Sequence, residues 1–95
     1  MIVGVIRAEF YFPHARSLKE KRKEVKSIKE RLRSSFNVSV SEIDNHDLWQ
    51  RATIGISFLG GETSFVQEVL DKVMDVMIKN WSHFLVDVKT EFLKV

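Results

Sequence analysis

Five basic residues share one helical register and carry the first chemistry to consider. Lys19, Arg22, Lys26, Lys29 and Arg33 follow one another at intervals of 3, 4, 3 and 4 residues. On an α-helix that spacing draws a single row. At about 1.5 Å of rise per residue the row runs roughly 21 Å. Like charges stacked in this way repel one another by about 0.2–0.5 kcal/mol per pair, and no acid falls in the row. Phosphates along a nucleic-acid backbone would relieve that repulsion, and release of their condensed counterions would drive the contact. The competing account is a solvated face, with Lys and Arg stems covering apolar edges of the helix.

The surrounding segment strengthens the first account. Residues 16–33, RSLKEKRKEVKSIKERLR, hold nine of the fifteen Lys and Arg but only three of the thirteen acids. That segment carries +6 and the rest of the chain −4, so a net charge of only +2 conceals a strong local field. Lys21 stands apart from the row. Its helical angle places it within the apolar stripe, between Leu18, Val25 and Ile28, where it either reaches out at the helix start or neutralises an acid near the end of the sheet. A structural role is expected for it.

A second group gathers histidines, tryptophans and carboxylates: His14, His46 and His83, Asp44 and Asp47, Trp49 and Trp81. Three His and a carboxylate could hold a metal ion, but no HxH or HxxxH pair lies on one element, and surface histidines beside capping aspartates fit better. His46 with Asp47 has no nucleophile to activate. No metal, no cofactor and no catalytic residue are therefore expected. The run Trp49, Gln50, Arg51 offers an aromatic plane, an amide and a guanidinium close together, as a recognition loop would. Its structural alternative is a hairpin held by Asp47, with Trp49 packed across strands.

The elements that must position these groups follow from periodicity. Ile2, Gly4, Ile6, Ala8, Phe10 and Phe12 alternate with Val3, Val5, Arg7, Glu9 and Tyr11, which predicts a strand covered on one side. Ser17 and Glu20 form an S-x-x-E box opening a helix whose apolar stripe is Leu18, Val25, Ile28, Leu32 and Phe36. Residues 37–44 and 49–59 predict two strands joined by a short polar connection at 45–48, the second with Ala52, Ile54, Ile56 and Phe58 inward. A box at Ser64 and Gln67 is expected to open a second helix reaching about Asn80, with Val66, Val69, Leu70, Val73, Met74 and Met77 on its apolar side. The last strand, 83–93, is expected to turn Phe84, Val86, Val88, Thr90 and Phe92 inward, leaving Leu85, Asp87, Lys89 and Glu91 outside.

The order β-α-β-β-α-β predicts a single α+β domain over residues 1–95, a ferredoxin-like sandwich. Its four-stranded antiparallel sheet carries both helices on one face. That topology brings PHAR, NHDL and NWSH to one end. The uncovered face offers one Tyr in a mixed-charge lattice, a poor platform for stacking bases, but a face suited to another copy of the chain or to water. With no Cys, disulfides are excluded. No apolar run approaches the roughly 20 residues that span a bilayer, and the opening MIVGVIRAEF has no basic leader, so a cytoplasmic location and no membrane partner are expected.

The stretch SLKEKRKEVKSIKERLRSSFNVSVSEIDNHDLWQRATIGISFL resembles the YlxP-like family of small bacterial domains of unknown function. The resemblance rests on Ser17–Arg22, Asn37–Val40 and Asp44–Arg51. It implies a ferredoxin-like fold and an association with translation or ribosome assembly. It transfers no catalytic residues and directs attention to Lys19, Lys21, Arg22, Trp49, Gln50 and Arg51. The expected function is a non-enzymatic RNA-binding protein acting on RNA or a ribosomal particle. Lys19, Arg22, Lys26, Lys29 and Arg33 would contact phosphates, and Trp49, Gln50 and Arg51 would stack and hydrogen-bond. The alternative is a homodimeric protein-interaction or ligand-sensing module.

Overall fold

A computed structural model describes residues 1–95. Its elements run β1 (Ile2–Tyr11), α1 (Leu18–Ser35), β2 (Ser39–Asp44), β3 (Arg51–Gly60), α2 (Thr63–Trp81) and β4 (Leu85–Lys94). The sheet order is β2-β3-β1-β4, with every neighbouring pair antiparallel. This is the ferredoxin-like arrangement expected from the sequence.

The core lies between one face of the sheet and the two helices. Ile2, Ile6, Ala8 and Phe10 of β1 and Ala52, Ile54, Ile56 and Phe58 of β3 are buried there. They meet Val25, Ile28 and Leu32 of α1 and Val66, Leu70, Val73 and Met77 of α2. The alternation that marks one strand face and the three-or-four spacing that marks one helix face are thus the same surface seen from two sides. Burying each large aliphatic or aromatic side chain contributes about 1.5–3 kcal/mol. Gly4 lets α2 approach β1 closely, because a Cβ there would come 2.5 Å from Val66 Cγ1 and 2.8 Å from Leu70 Cδ1.

Capping follows the sequence at α1 and departs from it at α2. Ser17 Oγ accepts from the Glu20 backbone N–H at 3.1 Å, and Glu20 Oε2 accepts from Arg16 N–H at 2.6 Å. The carboxylate therefore reaches one residue further back than a reciprocal box requires. At α2 the N-cap is Glu62 and no side chain caps the helix. Ser64 already lies inside that helix, and Gln67 Nε2 donates instead to Asp71 Oδ1 at 2.8 Å.

Each edge strand carries a bulge, and the one in β4 reverses the expected faces of Leu85 and Val86. Glu9 pairs with Asp87 but Phe10 pairs with Leu85, so Val86 is an extra residue in β4. Leu85 consequently turns inward against the core, while Val86, expected inside, is 56% exposed. In β2, Glu42 pairs with Ile54 and Asp44 with Thr53, which makes Ile43 the extra residue. Ile43 then lies over Gly55, where a Cβ would come 3.1 Å from its Cγ2. The β2–β3 connection is also longer than expected, because Trp49 and Gln50 precede β3 rather than opening it.

Candidate nucleic-acid interface

The hairpin end is built around one buried ammonium. Lys21 is fully buried, and its Nζ donates to Glu42 Oε2 at 2.9 Å, Asn45 O at 2.8 Å, His46 O at 3.1 Å and Arg51 O at 3.2 Å. An ammonium has three N–H groups, so four acceptors share three donors. The chain uses this cation to fasten the first turns of α1 to both ends of the β2–β3 connection. The expected neutralised acid near the sheet end is Glu42. Backbone carbonyls supply the other acceptors, and composition gives no sign of them.

From that anchor a relay of polar contacts crosses the sheet. Asn45, at φ 64°, adopts the left-handed conformation that Asn tolerates. Its Nδ2 donates to Thr53 Oγ1 at 2.9 Å, and Thr53 Oγ1 donates to Glu9 Oε2 at 2.8 Å on the open face. Asp44 Oδ1 accepts from Asn45 N–H at 2.7 Å, and Leu48 N–H donates to Asn45 O at 3.1 Å. Asn45 and Asp44 thus shape the turn that Asp47 was expected to hold.

The basic row flanks the outer edge of β2. Arg22, Lys26, Lys29 and Arg33 line a groove of about 420 Å³ together with Val25, Glu30 and Glu42. Lys19, Arg22 and Lys26 are exposed and Lys29 is half-buried. Arg33 differs from the other four, since its Nη2 donates to Val40 O at 2.7 Å and so holds the end of α1 to β2. Two acids also enter the groove, although none stands in the row. Glu30 pairs with Lys26 at 3.9 Å, but both side chains are open to water and the pair contributes about 0–1 kcal/mol. Glu42 is already committed to Lys21. Arg22 and Lys29 make no ion pair within the chain.

Trp49 and Arg51 stand at the same end as the helix start, on the open-face side. With Tyr11, Leu48 and Gln50 they line a shallow cavity of about 350 Å³. Trp49 is 57% exposed and is not packed across strands. The Arg51 guanidinium lies 5.7 Å from the centre of the Tyr11 ring, a cation–π distance. Gln50 is structural: its Nε2 donates to Pro13 O at 3.0 Å and Ala15 O at 3.2 Å, and its own carbonyl accepts from Phe12 N–H at 2.7 Å. Gln50 therefore locks the β1–α1 turn to the hairpin with its amide engaged, while Tyr11, which the sequence did not single out, joins it in the cavity wall. The cross-strand register Tyr11↔Arg51 is what unites these two residues.

The expected convergence of PHAR, NHDL and NWSH at one end is present, but the three histidines do not gather around a common point. His14 Nε2 lies 3.3 Å from Glu24 Oε1, and its ring centroid is 5.3 Å from that of Phe84. The His83 ring centroid lies 5.1 Å from that of the same Phe84 ring, and His46 Nε2 lies 3.0 Å from Glu42 O. Nowhere do three His, Asp or Glu side chains come together as a metal ion needs. No helix is long and apolar enough to cross a membrane.

The fold and its polar anchor define a small ferredoxin-like α+β domain with a basic groove beside one sheet edge. More particularly, the chain belongs to the DUF503 family, described as a protein of unknown function, which matches residues 3–90. It is 37% identical over 73 residues to the "Uncharacterized protein YlxP" of Bacillus subtilis (strain 168), covering 77% of this chain and 79% of that one. Among solved structures it resembles the de novo designed protein Foldit4, with a TM-score of 0.56 and 14% identity over 99% of this chain and 97% of that chain. It also resembles At3g17210 from Arabidopsis thaliana, with a TM-score of 0.55 and 13% identity over 98% and 94% of the two chains. At such identities these structures speak to the fold alone.

Proposed function

We propose that this protein is a non-enzymatic, cytoplasmic RNA-binding protein, acting on ribosomal RNA or a ribosomal particle through the α1–β2 groove. The observation that carries the reading is the row itself: Lys19, Arg22 and Lys26 face solvent, with Lys29 beside them in a groove whose acids are few. Phosphates entering the groove would meet Arg22 and Lys29, which have no partner within the chain, and would compete with Glu30 for Lys26. Arg22 can accept a phosphate in a bidentate fork, while the lysines act as point charges. Arg33 keeps one side of its guanidinium on Val40 O. Trp49 and Arg51, at the end of the row nearest Lys19, supply a stacking plane and a further cation for an unpaired base.

The test is retention of total cellular RNA by the purified protein, measured across a salt series. Three or four phosphate contacts give a slope of log affinity against log salt of about −2 to −3. Replacing Arg22, Lys26 and Lys29 together by Glu is expected to abolish retention at moderate salt. Retention unchanged by that triple substitution refutes the proposal.

A further inference from the structure

We infer that the open face of the sheet is a homodimer interface in which a second copy of this chain packs with its strands antiparallel to those of the first. Both helices lie on the other side of the sheet, so this face has no cover within the protomer. It nevertheless presents Leu59 and Leu93, 57% and 47% exposed, beside half-buried Val3 and Val5, with Ile43 and Tyr11 also open.

What specifies the partner is the order of charge along the strands. The cross-strand register sorts the open face into successive rows across β3, β1 and β4. The first is Leu59, Val3, Leu93, and the second Ser57, Val5, Glu91. The third is Gly55, Arg7, Lys89, and the fourth Thr53, Glu9, Asp87. A positive row therefore lies directly beside a negative row on the same two strands. A two-fold axis in the plane of the interface, perpendicular to the strands and midway between these rows, leaves each strand over its own copy and exchanges the rows. Arg7 then faces Glu9 of the partner subunit, and Lys89 faces Asp87 of the partner subunit. One step out, Val5 comes over the partner's Tyr11. A two-fold running along the strands would instead keep every row in place and set Arg7 against the partner's Arg7. The pattern thus selects one orientation by repulsion as well as attraction.

Within the protomer, Arg7 and Glu9 already interact at 3.5 Å, and Arg7 reaches Asp44 at 3.9 Å. Asp87 and Lys89 pair with nothing. The charges left over on β4 are those a second copy would satisfy. Four strands spaced about 4.8 Å apart and rising about 3.3 Å per residue offer a face of roughly 600 Å². With the axis between the third and fourth of five rows, four rows overlap, so two copies bury roughly 1,000 Å², the size of a weak and reversible association. The α1–β2 groove is on the opposite side of the sheet and stays free, whereas Arg51, level with Tyr11, comes under the partner's Ser57.

The experiment is a complementary charge exchange read by sedimentation equilibrium from about 1 µM to about 1 mM. The wild type is expected to dimerise. Asp87→Lys and Lys89→Asp, each alone, set like charges against like across the axis and are expected to weaken association at least tenfold. An equimolar mixture of the two variants restores both cross-axis pairs and is expected to form a heterodimer of wild-type strength. Both positions are exposed and make no ion pair or side-chain hydrogen bond within the chain, and Leu59→Lys at the rim provides an independent disruption. A wild type that stays monomeric throughout overturns the inference. So do single variants that dimerise as the wild type does, or a mixture that fails to regain what its components lost; a dimer through the β4 edge would give the second of these results.

Discussion

Replacing Lys21 by Met tests how much of the hairpin end hangs on one cation. Methionine keeps the length and apolar stem, so little cavity volume is created. The loss falls on polar partners. Glu42, whose side chain is 14% exposed, loses its counter-ion at 2.9 Å. The carbonyls of Asn45, His46 and Arg51 lose a donor within 3.2 Å. Breaking a buried pair from one side costs about 3–5 kcal/mol, because the remaining charge is stranded. Partial access of Glu42 to water holds the figure within that range, despite three further carbonyls worth about 1 kcal/mol or more apiece if left wholly unpaired. Domains of this kind have total stabilities of about 5–15 kcal/mol, so the variant would retain a fraction of its margin. Urea unfolding followed by circular dichroism should show a midpoint lowered accordingly with an unchanged slope, and a melting temperature down by about 15–30 °C. Adding Glu42→Leu, which removes the stranded carboxylate, should recover part of the loss, and the double-mutant cycle gives the coupling directly. A loss below about 1 kcal/mol for Lys21→Met alone would refute the view that this ammonium organises the hairpin.

Two further substitutions probe how the other elements are positioned. Gly4→Ala places a methyl 2.5 Å from Val66 Cγ1 and should destabilise by about 1–3 kcal/mol, as α2 is pushed from β1; an unchanged melting curve would mean that the helix yields freely. Gln50→Ala removes both donors from Pro13 O and Ala15 O and should cost about 1–2 kcal/mol, with faster amide exchange at Phe12 and Ala15; protection as in the wild type would count against its bridging role.

The parts of the fold legible in the sequence are those written in long periods. Ten residues of alternation in β1 and the stripe Val25, Ile28, Leu32 leave little choice of face. Lys21 was legible by the same means, because its helical angle contradicts its charge. The bulges were not, since Phe84, Leu85 and Val86 are three consecutive apolar residues and either parity satisfies the strand. Only pairing with Phe10 decides between Leu85 and Val86, and that contact lies far off in sequence. The Ser64–Gln67 box failed because an S-x-x-Q pattern is local, whereas the α2 start is set by where β3 ends and Val66 must reach Gly4. In the basic row, the spacing identified five side chains on one face. It could not tell Arg33 from the rest, because the carbonyl that engages Arg33 belongs to a strand whose position depends on the sheet. Gln50 is the corresponding case in the hairpin: its neighbours in sequence suggested recognition, and its neighbours in space are two carbonyls of another turn.

The two bulges have a consequence beyond side-chain direction. A sheet edge that is long, flat and regular is a template on which further chains can add strand after strand, the route to fibres. Here β2 is interrupted at Ile43 and β4 at Val86, and the Arg33 guanidinium already occupies the Val40 carbonyl of β2. Neither margin offers an unbroken ladder along its full length. Crowding this protein should therefore yield closed, countable assemblies rather than filaments, and deleting Val86 to restore a regular β4 should be the change that makes concentrated solutions gel.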